Sequence, residues 1–175
     1  MKTTKLRIHT WPERILRKKL RQVRAVDSRV RNLLEEMSSF MHINDGVGLA
    51  ANQVGLDAKL IVVQWQDKLF KLANPKIIKR QGITKFCEGC LSFPGLELEV
   101  KRAEKVWVSG LDENNQDVDL ELEGVLAIIF QHEIDHVNGI VFIDRISLLE
   151  RLKAAFKLKE ISRRTRNALR KQGNK

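Results

Sequence analysis

The sequence predicts a single α+β domain in which antiparallel sheets pack around a buried central helix, followed by a basic C-terminal helix. Three observations favour this class. Residues 124–139 are apolar nearly all round, as in a helix buried in a core. Residues 59–80 and 96–124 contain β-branched or alternating runs typical of antiparallel strands. No repeat or linker-like stretch divides the 175 residues. Sheets and helices in separate stretches indicate the α+β class.

The first long element is a helix predicted over residues 28–43. Its apolar residues recur at the spacing of one helical face, and Asp27 or Ser28 is suitably placed to cap its N-terminus. Two strands then follow at 59–65 and 69–80, on either side of a short polar turn. Two more alternating runs flank the turn DENNQD within residues 96–124.

The central helix is predicted to close on Gly139, since glycine suits a helix C-terminus. In the helix that follows, Leu149, Leu152 and Phe156 fall on one side and most Lys and Arg residues fall elsewhere. We expect this helix to pack on the body through its first half and to be solvated further along.

Charge is distributed unevenly along the chain. Residues 151–175 carry a net +9 and residues 1–24 a net +8, so the whole-chain charge of +10 leaves residues 25–150 about 7 negative. We divide the chain into a catalytic domain at 1–150 and a basic helical tail at 151–175. No apolar run reaches the ~18 residues of a membrane span, and no signal peptide is visible, which predicts a cytoplasmic protein without membrane contact.

The stretch QHEIDHVNG contains the HExxH pattern of metal-dependent hydrolases. His132 and His136 are four residues apart, so on a helix they share a face and can reach one ion at ~2.0–2.1 Å. Glu133 lies beside them and can reach a water on that ion. The pattern therefore predicts a hydrolytic metal site on the central helix.

A third ligand is not obvious, because the tenth position after the first histidine is Phe142, which cannot bind a metal. One alternative is a downstream acid, Glu150 or Glu160. Another is a thiolate from CEGCLSFPG, which holds Cys87 and Cys90. A single thiolate would leave a coordination position open for water, whereas both would close the metal in a structural zinc site. A redox CxxC pair is disfavoured, because the proline and glycine that follow open no helix.

Three stretches together carry a resemblance to a known family. GVGLAANQ at 46–53, EGCLS at 88–92 and QHEIDHVNG at 131–139 resemble the signature motifs of the peptide deformylase family, in the same order and at familiar separations. The resemblance extends over about residues 8–150. It implies that Cys90, His132 and His136 hold one divalent ion, Fe²⁺ in the cell, although Zn²⁺, Ni²⁺ or Co²⁺ would suit the same donors.

The resemblance also implies a reaction. A water activated by the metal would remove the formyl group from the N-formylmethionyl termini of newly made polypeptides and release formate, with Glu133 as general acid/base. The side-chain amide of Gln53 and the backbone N–H of Leu91 would hold the developing oxyanion. Glu88 is expected to pair with Arg102 and so support the metal ligands.

The methionine of such a substrate needs an apolar pocket. The glycines of GVGLAANQ let an extended peptide approach the backbone closely. Apolar residues three, four and seven positions before the first histidine share its helical face. The predicted substrate-binding residues are Gly46, Val47, Gly48, Val125, Ile128 and Ile129.

Two other functions compete at this stage. A zincin-like endopeptidase would require a Glu or His as third ligand. A nucleic-acid-binding module would use a Cys₂His₂ zinc site together with the basic ends of the chain. If the substrate is a nascent chain, the basic tail predicts docking on the RNA-rich ribosome, which would raise the local substrate concentration. The family resemblance indicates the same partner.

Overall fold

A computed structural model describes residues 6–173 and confirms the α+β class. Residues 1–5 of the basic N-terminal segment and residues 174–175 of the tail lie outside this range. The described strands are β1 (Gly48–Ala50), β2 (Leu60–Trp65), β3 (Lys68–Gln81), β4 (Thr84–Gly89), β5 (Glu97–Arg102), β6 (Lys105–Leu111) and β7 (Asp117–Glu123). The α-helices are α1 (Ser28–Ile43), α2 (Gly124–Val137) and α3 (Leu148–Gly173).

Five strands form one antiparallel sheet in the order β1-β2-β3-β6-β7. The hairpin β2–β3 turns at Gln66, whose φ is 50°, and the hairpin β6–β7 closes on the predicted turn DENNQD, with Leu111 opposite Asp117. Both predicted hairpins are therefore confirmed. The three-residue strand β1, which was not predicted, pairs with β2 and forms one edge of this sheet.

A second, two-stranded sheet consists of β4 and β5. Strand β4 was not predicted, and it carries the first three residues of the CEGC stretch before ending at Gly89. Cys90 thus follows the strand directly. The antiparallel register sets Gly89 opposite Glu97, so the end of β4 and the start of β5 lie side by side.

Helices α1 and α2 agree with their predictions. Helix α1 begins at Ser28, and the Asp27 side chain accepts a 2.9 Å hydrogen bond from the backbone N–H of Val30, as an N-cap does. Every residue of α2 from 127 to 137 is buried, which matches the prediction of a central helix. Gly139 follows α2 with φ of 76°, and a Cβ there would lie 2.5 Å from the Arg17 carbonyl oxygen.

Helix α3 differs from the prediction in the face that it buries. Leu149, Leu152 and Phe156 are 62%, 64% and 82% exposed. The buried residues are instead Ala154, Ile161 and Thr165, and the Thr165 hydroxyl lies 2.7 Å from that of Thr10. Because Ile161 and Thr165 lie beyond its midpoint, the helix packs on the body past its first half. The helix also runs through the domain boundary predicted after residue 150.

Among the described residues, no helix combines the length and the apolar character needed to cross a membrane.

Candidate active site

Cys90, His132 and His136 are brought together at one point, where their ligand atoms lie within 4.8 Å of one another. The two histidines lie on consecutive turns of α2, and β4 delivers the cysteine from the other sheet. Cys90 Sγ is 3.3 Å from His136 Nε2. Both imidazoles are buried and the thiol is half-buried, so the group faces a protected but accessible space.

The other third-ligand candidates lie elsewhere. Cys87 is exposed on β4. Glu150 and Glu160 both belong to α3 and form ion pairs with lysines there. Within residues 6–173, none of these three side chains joins the ligand group. The geometry therefore disfavours both the closed Cys₂His₂ site and an acidic third ligand, and leaves Cys90 as the candidate.

The donor set fits one divalent ion. Burial, followed by the nearby charges of His132 and Arg102, lowers the pKa of His136 well below its ordinary value. Burial opposes a charge on His132 as well, but Cys90 and Glu88 raise its pKa well above the ordinary value, so an ion bound here would displace a proton from His132, because the neutral imidazole is the form that binds metal. One thiolate and two imidazoles are suitable ligands for a borderline ion, and three protein ligands leave a position for water or substrate, as in hydrolytic sites.

Glu133 is buried beside this group. Burial raises its pKa to about 7, with a smaller opposing effect from His132, so the carboxyl can exchange a proton near neutrality. Its Oε2 atom has no hydrogen-bond partner among the described residues. The carboxylate fits against β1 only because residue 48 is glycine: a Cβ on Gly48 would lie 2.9 Å from Glu133 Cδ.

A buried network of charges orients His132. Its Nδ1 lies 2.8 Å from Glu88 Oε2, and Arg102 donates two hydrogen bonds to Glu88 at 2.6 and 2.9 Å. Burial opposes ionisation of Glu88, but the bonds from Arg102 and His132 hold its pKa at about 2. The Glu88 and Arg102 side chains thus meet as the sequence predicted. Removing one partner of such a buried pair typically costs about 3–5 kcal/mol.

The network extends to residues that the sequence analysis did not single out. Arg102 also donates to Asp135 at 2.5 Å, and Arg145 donates to the same carboxylate. Asn52 donates to the His136 carbonyl at 2.6 Å, which ties the motif containing Gln53 to α2. A signal for Asp135 was present, because an acidic residue on a fully buried helix requires a cationic partner.

Gln53 presents its amide nitrogen to the ligand group. The backbone N–H of Ala50 donates to Gln53 Oε1 at 2.7 Å, which fixes the amide orientation. Nε2 then lies 3.5 Å from Cys90 Sγ and 3.3 Å from Ser92 Oγ. Leu91, the other predicted oxyanion residue, lines the same space. Both residues therefore lie next to the group formed by Cys90, His132 and His136.

The space forms a cleft of about 380 Å³ with His132 and Glu133 among its lining residues. One wall comprises residues 45–48 and the other residues 89–91 and 93–97. Of the predicted substrate-binding residues, Gly46, Val47 and Gly48 line the cleft. Val125, Ile128 and Ile129 of α2 are not among its lining residues; Val125 is half-buried and the two isoleucines are buried. Their part in a methionine pocket stays a prediction.

Comparisons with known proteins agree with this geometry. Residues 5–152 match the family described as polypeptide deformylase. A peptide deformylase of Aquifex aeolicus is 42% identical over 157 residues, which cover 86% of this chain and 93% of that protein. The crystal structure of peptide deformylase from Thermus thermophilus has a TM-score of 0.84 at 38% identity, covering 90% of this chain and 98% of that one. A plant peptide deformylase structure has a TM-score of 0.90 at 34% identity, covering 96% and 95%.

Proposed function

Because this chain belongs to the polypeptide deformylase family and is a hydrolase of that type, we propose that it removes the formyl group from the N-formylmethionyl termini of newly made polypeptides. Water adds to the formyl carbon, the C–N bond breaks, and formate and a free amino terminus are released. The observation that carries the proposal is the convergence of Cys90, His132 and His136 in a cleft beside the buried Glu133.

One divalent ion is the cofactor of this proposal, held by the three converging side chains. We propose Fe²⁺ as the ion used in the cell, whereas Zn²⁺, Ni²⁺ and Co²⁺ would be accepted by the same donors. When bound, the ion supplies a Lewis acid that polarises the formyl group and lowers the pKa of water. Metal analysis of protein purified without oxygen measures which ion is present.

Glu133 is the general acid/base of the proposal. It takes a proton from the attacking water and returns it to the leaving amine nitrogen, so one carboxyl serves both halves of the reaction. Its pKa of about 7 supports this role, as does its Oε2 atom, which has no hydrogen-bond partner within the described part of the chain. The Gln53 amide and the Leu91 backbone N–H would donate to the formyl oxygen as negative charge develops on it, which is worth about 2.7–4 kcal/mol per donor in other oxyanion holes.

The substrate backbone is proposed to pair with β1. This strand lies at the edge of its sheet and pairs only with β2 among the described strands, so its other side can accept an extended peptide. The substrate-binding residues of the proposal are Gly46, Val47 and Gly48 along this edge, with Val125, Ile128 and Ile129 beneath the methionine side chain.

We propose that the basic tail binds the ribosome and that the protein acts in the cytoplasm. The exposed cations of α3 include Lys159, Arg163, Arg166, Arg170 and Lys171, which could each neutralise a phosphate of ribosomal RNA. Docking there would hold the cleft near emerging formylated chains.

The central test is deformylation of formyl-Met-Ala-Ser by the wild type and by Glu133→Gln. The amide has a similar shape and is not a proposed ligand, so the metal content should stay unchanged while the rate falls by about 10²–10⁴. A fall of less than tenfold would mean that another group is the base. Absence of any formate release by metal-loaded wild type would refute the proposed activity.

A further inference from the structure

The ionisable side chains of the cleft are unusual for so basic a protein. The chain carries 32 Lys and Arg against 22 Asp and Glu, yet within the described part of the chain no Lys or Arg lines the cleft. Besides the proposed catalytic group, the charged residues that line it within positions 6–173 are Asp45 and Glu97. Both are acidic, and they belong to opposite walls.

Local structure holds the backbone of each acidic residue at the exposed mouth of the cleft. Asp45 lies in the short connection between α1 and β1, with φ of 53°, a left-handed conformation that Asp tolerates, and its N–H donates to the His42 carbonyl at 3.1 Å. Glu97 begins β5 opposite Gly89, with its Cγ 3.8 Å from where a Cβ on that glycine would lie. Glu97 thus lies across from the residue that precedes Cys90.

Neither carboxylate is neutralised by a neighbour. Within residues 6–173, no ion pair involves Asp45 or Glu97. The Glu97 carboxylate accepts a hydrogen bond from the Cys87 thiol at 3.9 Å. One basic side chain, Lys157, approaches the rim at Gly95, where it bonds to Glu160 at 3.2 Å, and Arg164 pairs with the same carboxylate. Among the described residues, the mouth therefore presents two carboxylates that have no ion-pair partner of their own.

We infer that Asp45 and Glu97 select formylated peptides that carry Lys or Arg in the residues following the methionine. This inference rests on the proposed function. The formyl group must reach the buried metal ligands, and the methionine side chain needs apolar surroundings, so the following residues leave through the exposed mouth between the two carboxylates. A cationic side chain there gains Coulomb energy from both walls, whereas an acidic one is repelled.

The test compares kcat/KM for three amidated peptides, formyl-Met-Ala-Lys-NH₂, formyl-Met-Ala-Ser-NH₂ and formyl-Met-Ala-Glu-NH₂. We expect the order Lys, Ser, Glu, with roughly a two- to fivefold step for each exposed charge pair and smaller steps at 0.5 M salt. The free acid of formyl-Met-Ala-Ser should be a poorer substrate than its amide, because its terminal carboxylate approaches the same rim.

Variants assign the effect to its residues. The ratio of kcat/KM for the Lys peptide to that for the Ser peptide should fall toward 1 in Asp45→Asn and Glu97→Gln, and below 1 in Glu97→Lys. Glu99→Gln is the matched control, since Glu99 is exposed on β5 but pairs with Lys85 and does not line the cleft; its ratio should equal that of the wild type. Using a ratio cancels general losses of activity.

The two proposals fail in different ways. If none of the three peptides releases formate, the proposed function is refuted. If all three are deformylated with equal kcat/KM at low salt, or if Glu97→Lys leaves the ratio unchanged, the activity stands and the acidic selection is refuted.

Discussion

At Gly48 the backbone of β1 runs directly against the carboxylate of Glu133. Because a Cβ would lie 2.9 Å from Glu133 Cδ and closer still to Oε1, Gly48→Ala must push the carboxylate aside. We expect kcat to fall by about 10²-fold, the cost of moving a reacting group by roughly 1 Å, with metal content unchanged. Gly89→Ala, where the nearest atom would be Glu97 Cγ at 3.8 Å, should cost far less. Equal losses in both variants would contradict this account.

The two cysteines provide a matched pair of substitutions. Cys90→Ser should lose most of the bound metal, because a hydroxyl is a poor substitute for a thiolate on a borderline ion. Cys87→Ser removes an exposed thiol three residues away, outside the ligand group, and should retain the wild-type metal content. Elemental analysis of both proteins after identical anaerobic purification measures the difference. Metal loss from the Cys87 variant would revive the four-ligand site.

A cluster of hydrogen bonds around Glu13 holds the segment that precedes the GVGLAANQ motif. Arg7, His9 and the backbone N–H of Thr10 all bond to this carboxylate, at 3.0, 2.8 and 2.9 Å. Burial alone would raise the pKa of Glu13, but these bonds hold it at about 2 against an ordinary value near 4.5. The cluster therefore stabilises the fold fully above pH 4.5 and progressively less as the pH falls toward 2.

Glu13→Gln should remove this pH-dependent contribution. The difference in free energy of unfolding between wild type and variant should be largest near pH 7 and should shrink between about pH 4.5 and pH 2, as measured by urea unfolding at each pH. Glu36→Gln, on the exposed face of α1, is the control. It should leave the loss of unfolding free energy between pH 4.5 and pH 2 the same as in the wild type. A constant difference across this range for Glu13→Gln would show that the carboxylate charge is not what stabilises the segment.

The elements that could be predicted are those whose signal is local. Helix α1 was predictable from its periodicity and its capping residue, and α2 from a long apolar run that no surface helix would have. Strand β1 could not be predicted, because three residues are too few for an alternation to register. The buried face of α3 was predicted wrongly: the large apolar residues suggested Leu152 and its neighbours, whereas close packing selected Ala154 and Ile161.

The same division applies to the site. Two histidines at positions i and i+4 of one helix indicate a shared ligand face from spacing alone, and Cys90 required the family resemblance, since its approach depends on the pairing of β4 with β5. The roles of Asp135 and Asn52 depend on hydrogen bonds between elements far apart in the chain. A single sequence carries no direct signal for such partners.

At the scale of the whole molecule, the structure shows where the acidic and basic parts of the chain lie. The acidic rim belongs to the cleft, while the last described helix presents cations along its exposed face. Deleting residues 158–175 is a poor test of ribosome docking, because the deletion removes Ile161 and Thr165, which are buried against the body. Substitutions that leave this packing intact distinguish an effect of charge on binding from an effect of lost stability.

We therefore predict the behaviour of a variant with Arg163, Arg166, Arg170 and Lys171 all replaced by Gln. These exposed side chains lie outside the packed face, so the variant should deformylate formyl-Met-Ala-Ser as the wild type does. Its ribosome binding should weaken and depend less on salt. The slope of the logarithm of the binding constant against the logarithm of salt concentration should become shallower by roughly 0.7–0.9 for each phosphate contact removed.

A second variant with the same loss of net charge distinguishes docking from general attraction. It replaces four exposed cations of the body with Gln, namely Arg24, Arg29, Lys68 and Lys76. If α3 is the docking element, this variant should keep most of the affinity and salt slope of the wild type when binding is measured by ribosome co-sedimentation at about 50–200 mM salt. Equal weakening in both variants would mean that ribosomes attract the protein only through its net charge, and unchanged binding in the α3 variant would mean that the exposed cations serve solvation alone.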